Sequence, residues 1–201
     1  MEIQRESMEY DVVIVGAGPA GLATSIKLKQ INPDLNVCIL EKGSEVGAHI
    51  LSGNVFETRA LDELIPDWKE KGAPIKTKVK KEKFLFLGKK SSLSWPTWLL
   101  PSVQKNHKNY IISLANLCRW LAEQAEGLGV EIFPGFAASK IIYDEDEKII
   151  GVQTGDMGID KEGNKKDSFE PGLNIMAKVT VFSEGCRGHL GKEVIKKYKL
   201  D

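Results

Sequence analysis

Residues 10–21, YDVVIVGAGPAG, decide the fold of this chain. Residues 11–15 are a short apolar run rich in β-branched side chains, a pattern typical of a strand buried on both faces. Gly16, Gly18 and Gly21 follow in G-x-G-x-x-G spacing, and the amphipathic segment LATSIKLKQ predicts a helix directly after them. Glycines at these positions allow a tight turn, the close approach of a diphosphate, and close packing of helix on strand. The start of the helix would offer unpaired N–H groups to the phosphates.

A second predicted strand, residues 36–40 (NVCIL), is followed by Glu41, twenty positions beyond Gly21. A carboxylate there can accept hydrogen bonds from ribose hydroxyls and would repel a 2′-phosphate. The glycine motif alone is weak evidence, but the strand before it, the helix after it and the second strand supply the context that the motif needs. The sequence therefore predicts a dinucleotide site for FAD or NAD, and not for NADP.

The last apolar run, residues 179–182, predicts a parallel strand that returns beside the first strand of a doubly wound sheet. Its carboxyl end would bring the glycines of the following SEGCRG, Gly185 and Gly188, to the dinucleotide. Between these elements, the spacing of apolar residues predicts a helix over residues 114–128, and DEDEK between two apolar runs indicates a hairpin turn. We therefore expect an α/β, Rossmann-like fold.

The composition excludes several classes of protein. Lys plus Arg and Asp plus Glu number 28 each among 201 residues, so no basic excess is available for nucleic acid as a main partner. No apolar run approaches the roughly 20 residues that a membrane-spanning helix needs. The first residues, MEIQRESME, show neither a signal peptide nor an Arg-rich transit peptide, which favours a bacterial source. Three widely spaced cysteines indicate a reduced compartment and make no metal site by themselves.

Three features have two interpretations each on the residues alone. Residues 42–56, KGSEVGAHILSGNVF, are either a surface loop or backbone that passes close to a ligand. Residues 88–109 carry Trp95 and Trp98 among leucines and lysines without periodicity. They form either a loop that packs on its own domain or a loop that seats in a bilayer interface. Arg119, on the predicted helix, is either a surface residue or a phosphate ligand.

A family resemblance runs from residue 10 almost to the end of the chain. It is carried by GAGPAGLA, EKGSEVGAHILSG, LDELIPDWKEKGAP, NYIISLANLCRWLAEQAEGLGVEIFPGFAA, GDMGIDKEGNKKDSF and EGCRGHLGK. In these stretches the chain resembles the electron transfer flavoprotein–ubiquinone oxidoreductases. Members of that family hold FAD and a [4Fe–4S] cluster, accept electrons from reduced electron transfer flavoprotein, and pass them to ubiquinone at a membrane surface.

Carried over position by position, the resemblance implies a set of cofactor-binding residues and no catalytic residue or metal ligand. The glycine turn and the acid one strand over would supply contacts from Gly16, Ala17, Gly18, Pro19, Ala20, Gly21, Glu41 and Lys42. A flavin-side loop would contain Gly47, Ala48 and His49, while Arg119 and Gly185 would lie near the pyrophosphate and the ribityl chain. The resemblance also implies membrane association of residues 46–67, which is a different segment from the tryptophan-bearing residues 88–109.

The expected fold is a Rossmann-like FAD-binding domain of the glutathione-reductase-like or geranylgeranyl-reductase-like type, with an inserted β-rich segment, incomplete at its carboxyl end. Residues 1–201 would form this partial domain, with residues 70–110 as an excursion towards a second, quinone- or substrate-side domain. The expected enzyme is an oxidoreductase of electron transport. It would be peripheral or monotopic on the cytoplasmic face of the inner membrane, without a transmembrane helix.

Two departures from the family pattern limit what is carried over. Asn54 and Lys108 stand where small residues are expected. The family chain is between two and three times longer, and the remainder would hold the quinone region, the cluster cysteines and the last FAD-contacting strand. The chain thus resembles an amino-terminal fragment or a truncated reading frame. The alternatives are a related FAD-dependent reductase or monooxygenase, similar to geranylgeranyl reductases, and a non-catalytic FAD-binding fragment.

Overall fold

The computed structural model describes residues 4–160 and 162–200. In these residues the strands run in chain order as β1 (Ser7–Val15), β2 (Val37–Glu41), β3 (Ser52–Phe56), β4 (Thr77–Lys78), β5 (Phe84–Leu87), β6 (Ser92–Trp95), β7 (Tyr110–Ser113), β8 (Glu131–Pro134), β9 (Ala138–Tyr143), β10 (Ile149–Thr154), β11 (Met157–Ile159), β12 (Lys165–Glu170) and β13 (Asn174–Phe182). The α-helices are α1 (Pro19–Ile31), α2 (Arg59–Leu64), α3 (Leu114–Gly127) and α4 (Leu190–Tyr198), and 3₁₀ turns cover Thr97–Leu99 and Ser102–Gln104. The chain divides into two compact units, of which the first contains the chain up to His49 and from Cys118 onward, and the second contains Ile50–Leu117.

The first unit is built on a six-stranded sheet with the order β8-β2-β1-β13-β10-β9. β8, β2, β1 and β13 run parallel, while β10 and β9 are antiparallel to their neighbours. Val15 lies beside Leu40 on one side and beside Phe182 on the other, so three strands reach their carboxyl ends at one edge. The predicted return of the last strand beside the first is confirmed, and so is an α/β fold with a parallel sheet.

The core of the first unit explains why these strands form. Val13 and Ile14 are completely buried, as expected for the centre of a parallel sheet covered on both faces. On one face, apolar residues of β1, β2, β10, β13 and α4 form a continuous cluster: Tyr10, Val13, Val15, Cys38, Leu40, Val152, Ile175, Ala177 and Leu190. The predicted helix after the glycine motif is α1, which buries Leu22 and Ile26.

The second unit contains the antiparallel sheet β3-β7-β4 and the separate two-stranded hairpin β5-β6. Residues 88–109 were expected to lack regular structure, and this prediction is wrong for Ser92–Trp95. That strand pairs with β5 in full register from Phe84↔Trp95 to Leu87↔Ser92, and Gly88 N–H donates to the Ser91 carbonyl at 2.8 Å to close the turn. A strand of four residues is stabilised by its cross-strand partner. The residues of the strand itself do not indicate that partner.

Other expectations are confirmed with adjusted bounds. The helix predicted over residues 114–128 is α3, and the charged DEDEK turn joins β9 to β10. Among the described residues after β10, β11 and β12 pair as an antiparallel hairpin that is mostly exposed. Among the described residues, none of the helices has the length and apolar character required to cross a bilayer.

Candidate functional site

The glycine turn between β1 and α1 is shaped by the chain's own packing at two of its three glycines. Gly16 has φ +105°, and a Cβ built on it would lie 2.6 Å from the carbonyl oxygen of Ser183. A Cβ on Gly21 would lie 2.1 Å from the carbonyl oxygen of Gly16. Side chains at either position would collide with backbone, so both glycines are required for the turn itself.

Gly18 differs from the other two glycines. Its φ of −78° suits any residue, and within the described chain no atom lies within 4 Å of a Cβ built there. Neither conformation nor internal packing therefore explains a glycine at this position. A ligand that approaches the backbone from outside would explain it, and this contact stays a prediction.

The amino end of α1 is available to an anion. Gly18 is the N-cap, Pro19 and the exposed Ala20 open the helix, and no side chain of the described residues caps it. The first turn also contains no acidic residue. Because the first N–H groups of a helix have no intrahelical partner, this end presents donors and a positive dipole to a phosphate.

Glu41 lies directly against the glycine turn, where the sequence analysis placed it. Its Oε2 accepts the Ala17 N–H at 2.9 Å, and its Oε1 accepts the Gly43 N–H at 2.7 Å. Each carboxylate oxygen has a second lone pair, so the side chain can still accept bonds from sugar hydroxyls. The acid thus joins the end of β2 to the turn after β1, and a ribose contact stays a prediction.

The loop after β2 contains the other residues implied by the resemblance. Gly47 is buried with φ +86°, whereas Lys42, Ala48 and His49 are exposed. At this position a glycine is favoured because the backbone is left-handed. The structure places these residues within nine positions of Glu41, and their contact with a cofactor stays a prediction.

Arg119 connects α3 to the same loop. Its Nη2 lies 2.9 Å from Glu45 Oε1, and its side chain is 42% exposed. This pair satisfies the guanidinium at a partly solvated position. The structure thus shows Arg119 in a surface ion pair, one of the two interpretations drawn from the sequence. Contact of Arg119 with a phosphate stays a prediction.

The segment after β13 borders the glycine turn. Ser183 N–H donates to the Val15 carbonyl at 2.8 Å, and the Ser183 carbonyl is the group that restricts Gly16. Gly185 follows with φ +76° and is exposed. The prediction that the last strand ends beside the first βα turn is therefore confirmed at Ser183, and the approach of Gly185 and Gly188 to a dinucleotide stays a prediction.

Sequence reasoning missed Glu184, which lies between Ser183 and Gly185. Its Oε1 accepts the N–H groups of His189 and Leu190 at 2.9 and 3.2 Å, and its Oε2 accepts that of Gly191 at 2.7 Å. An acid close before a helix start is a recognisable capping signal, but this one lies five positions before the first residue whose N–H it binds.

The buried cysteines have no site chemistry. Burial above all, together with Glu131, raises the pKa of Cys38 to about 12. Burial, assisted by the charge of Glu41, raises the pKa of Cys118 to about 11. Both thiols are therefore neutral packing groups of the core. In residues 4–160 and 162–200, no group of three or more His, Cys, Asp and Glu side chains could hold a metal ion.

Solved structures share this fold at low sequence identity. A geranylgeranyl bacteriochlorophyll reductase-like protein from Thermoplasma acidophilum matches with a TM-score of 0.62 and 22% identity, over 89% of this chain and 40% of its own. A myxobacterial FAD-dependent halogenase matches with a TM-score of 0.57 and 16% identity, over 90% and 38%. The Thi4 family matches residues 1–63. These likenesses establish a flavoprotein-type fold, as predicted.

Curated relatives are far more similar in sequence. The electron transfer flavoprotein-ubiquinone oxidoreductase of Pseudomonas aeruginosa is 57% identical over 99% of this chain, which corresponds to 37% of that protein. The mitochondrial protein of the same name from Mus musculus is 49% identical over the whole chain and 33% of its own length. The chain thus spans about a third of the length of the relatives it matches. The resemblance to the electron transfer flavoprotein–ubiquinone oxidoreductases is confirmed, and these relatives are named as oxidoreductases.

Proposed function

We propose that this chain binds FAD and forms the flavin-binding part of an enzyme that transfers electrons from reduced electron transfer flavoprotein to ubiquinone at a membrane. The observation that supports FAD binding most directly is that an unobstructed glycine and an acid lie at the same turn. No atom of the described chain lies within 4 Å of a Cβ built on Gly18, and Glu41 Oε2 accepts the N–H of Ala17, the residue immediately before Gly18. The partners and the reaction are inferred from the relatives' names and the 57% identity.

The proposed binding mode divides the dinucleotide among three parts of the sheet edge. The amino end of α1 would bind the diphosphate over Gly18, and the second lone pairs of Glu41 would accept the ribose hydroxyls. Gly185, exposed after β13, leaves room for the ribityl chain. When bound, FAD supplies the electron-accepting ring, so the protein needs no nucleophile or acid–base pair.

The [4Fe–4S] cluster of the family would require four cysteine ligands. The chain has three cysteines, of which Cys38 and Cys118 are buried in the core and Cys186 is exposed. We therefore propose that cluster ligands and the quinone site belong to the remaining two thirds of the relatives' length. Residues 70–110 remain proposed as the part that extends towards that region.

Two measurements on the purified chain test this proposal. FAD titration should quench flavin fluorescence saturably and give a visible spectrum distinct from free FAD, whereas a spectrum unchanged at saturating protein would refute FAD binding. The bound flavin should be reduced by reduced electron transfer flavoprotein and not by NADH or NADPH. Reduction by a nicotinamide alone would favour a reductase or monooxygenase of the geranylgeranyl-reductase-like type.

We further propose that the β5-β6 hairpin contacts the membrane. Its large apolar side chains are unusually exposed, with Leu87 at 78% and Leu93 at 65%. Phe86 makes edge contacts with Phe84 and Trp95, which form a small aromatic cluster. Lysines at both ends of the hairpin, Lys80, Lys81, Lys83, Lys89 and Lys90, are exposed and would pair with anionic headgroups.

Residues 46–67, implied by the resemblance, offer less exposed apolar surface. Leu51 is 84% exposed, but Leu61 and Ile65 are each 4% exposed and pack inside their own unit. The hairpin therefore supports membrane contact better than this segment does. Both would bring an apolar surface to the bilayer without a spanning helix.

Vesicle binding separates the two segments. Leu87→Ser combined with Leu93→Ser should weaken partition into anionic vesicles about tenfold or more, because each leucine would otherwise bury apolar area in the interface. Leu51→Ser is the matched control and should change partition less than about threefold. The reverse ranking would assign membrane contact to residues 46–67 and refute the hairpin proposal.

A further inference from the structure

Glu184 makes an unusual number of backbone contacts for a loop carboxylate. It accepts three amide N–H groups from the start of α4, those of His189, Leu190 and Gly191. Its side chain also occupies the space above Gly188, where a built Cβ would lie 2.8 Å from the Glu184 Cβ. The side chain is therefore held in one conformation, and its negative charge is compensated by the amino end of the helix.

The backbone of the same residue belongs to the wall of the glycine turn. A Cβ on Gly16 would lie 2.6 Å from the Ser183 carbonyl oxygen and 3.5 Å from the Glu184 N. On the other side of Glu184, Gly185 has φ +76°, and in the described part of the chain nothing lies within 4 Å of a Cβ built on it. The Gly185 carbonyl accepts the Gly188 N–H at 3.2 Å. Glu184 thus connects α4 to backbone that faces the proposed ligand.

The two helix amino ends of the first unit differ in whether an acid occupies their first N–H groups. α4 has its first amides occupied by Glu184. α1 has no side-chain cap from any described residue and no acid in its first turn. An anion is therefore repelled from α4 and accepted at α1.

We propose that Glu184 is a positioning residue for the flavin. It holds the loop between β13 and α4 against the glycine turn, and it closes the amino end of α4 so that the diphosphate binds only at α1. This inference rests on the proposed function, because it concerns the same FAD site. A glutamine cannot replace the acid, since its NH₂ group would turn a donor towards an amide donor of α4.

The test compares Glu184→Gln with Glu193→Gln in the whole chain. Glu193 lies on the same helix, is half exposed and contacts the His189 side chain at 3.3 Å, so its replacement removes the same charge and leaves the backbone bonds of Glu184 in place. Titration with FAD, followed by fluorescence quenching, should give a Kd about tenfold higher for Glu184→Gln, the loss expected when a charge-assisted hydrogen bond is removed. Glu193→Gln should stay within about twofold of the wild type.

A purely structural role for Glu184 would lower the melting temperature and leave the bound flavin unchanged. The visible spectrum of FAD bound to each variant is therefore recorded well below its melting temperature, and the vibronic fine structure should change only in Glu184→Gln. Hydrogen exchange provides a measurement that needs no variant: amides 183–191 of the wild type should exchange more slowly when FAD is added.

The outcomes are distinguishable. If the wild type binds FAD while Glu184→Gln keeps the wild-type Kd and spectrum, this inference is overturned and the proposed function stands. If FAD does not change the exchange of amides 183–191, the inference is likewise overturned. A wild-type chain that does not bind FAD overturns both proposals.

Discussion

Alanine substitution at Gly18 and at Gly21 should separate ligand binding from folding. A Cβ on Gly21 would lie 2.1 Å from a backbone oxygen, about 1.2–1.5 Å closer than a relaxed carbon–oxygen contact, so the turn must move. Overpacking costs about 1–3 kcal/mol, and for an approach this close we expect the upper part of that range, about 2–3 kcal/mol, of which the gain in helix propensity returns about 1 kcal/mol. Gly21→Ala should therefore lose about 1–2 kcal/mol of unfolding free energy.

Gly18→Ala should behave differently. Its φ of −78° accepts alanine, and the described chain leaves the Cβ position unobstructed. Replacing a glycine N-cap by alanine costs about 0.5–1 kcal/mol, and the lower entropy of the unfolded chain offsets a similar amount. The added methyl group would however stand where the diphosphate approaches, so FAD affinity should fall about tenfold or more, equivalent to about 1.4 kcal/mol.

The assays are thermal unfolding without FAD and titration with FAD. A change of 1 kcal/mol shifts the melting temperature of a chain this size by about 2–4 °C. We expect Gly18→Ala to melt within about 2 °C of the wild type, and Gly21→Ala to melt about 2–8 °C lower. The reasoning fails if Gly18→Ala binds FAD like the wild type, or if it is destabilised as much as Gly21→Ala.

Further predictions concern single side chains. Glu41→Gln should lower the melting temperature by about 2–8 °C and weaken FAD binding about tenfold, because an amide would face the donor N–H groups that the acid accepts; a melting curve and a titration like those of the wild type would contradict it. A thiol reagent at pH 8 should modify one cysteine, the exposed Cys186, in the native chain and all three after denaturation, as measured by absorbance. The Arg5 guanidinium and the Gly172 N–H hold the pKa of Asp156 at about 2, below its ordinary 3.8. The ionised Asp156 therefore stabilises the fold above pH 4, and this contribution is lost as the pH falls through about 2. The unfolding free energy of Asp156→Asn should be lower than that of the wild type by on the order of 1 kcal/mol at neutral pH, and denaturant titrations should show this difference shrinking over that range.

The part of the fold that local patterns encode could be predicted from the sequence. A buried apolar strand, a glycine turn and a helix follow one another in residues 10–31, and each leaves its own periodicity. The acid at Glu41 could be placed beside the turn because parallel neighbouring strands end at the same edge. The return of β13 followed from the same topology.

The features that were missed depend on partners far away in sequence or on backbone conformation. β6 is four residues long, and its pairing with β5 determines it more than its own serines and apolar residues do. Thr58, a residue type that often caps helices, precedes α2, but it has helical φ and ψ and its hydroxyl donates to Asp62 Oδ2 at 2.9 Å. The role of Glu184 depends on how the loop between β13 and α4 folds back. The spacing of residues in the sequence does not indicate that conformation.

The contacts of Glu41 also bear on how a ligand would bind. Because this acid already holds Ala17 and Gly43, and Ser183 already bonds to Val15, the turn over which the diphosphate would lie is shaped by contacts within the chain. Binding to a turn organised in this way avoids the cost of ordering it, so more of the interaction free energy is available as affinity. The same contacts imply that a change at Glu41 affects stability and binding together, whereas a change at Gly18 affects binding alone. Glu41 thus links the folding of the sheet edge to the ligand site proposed there.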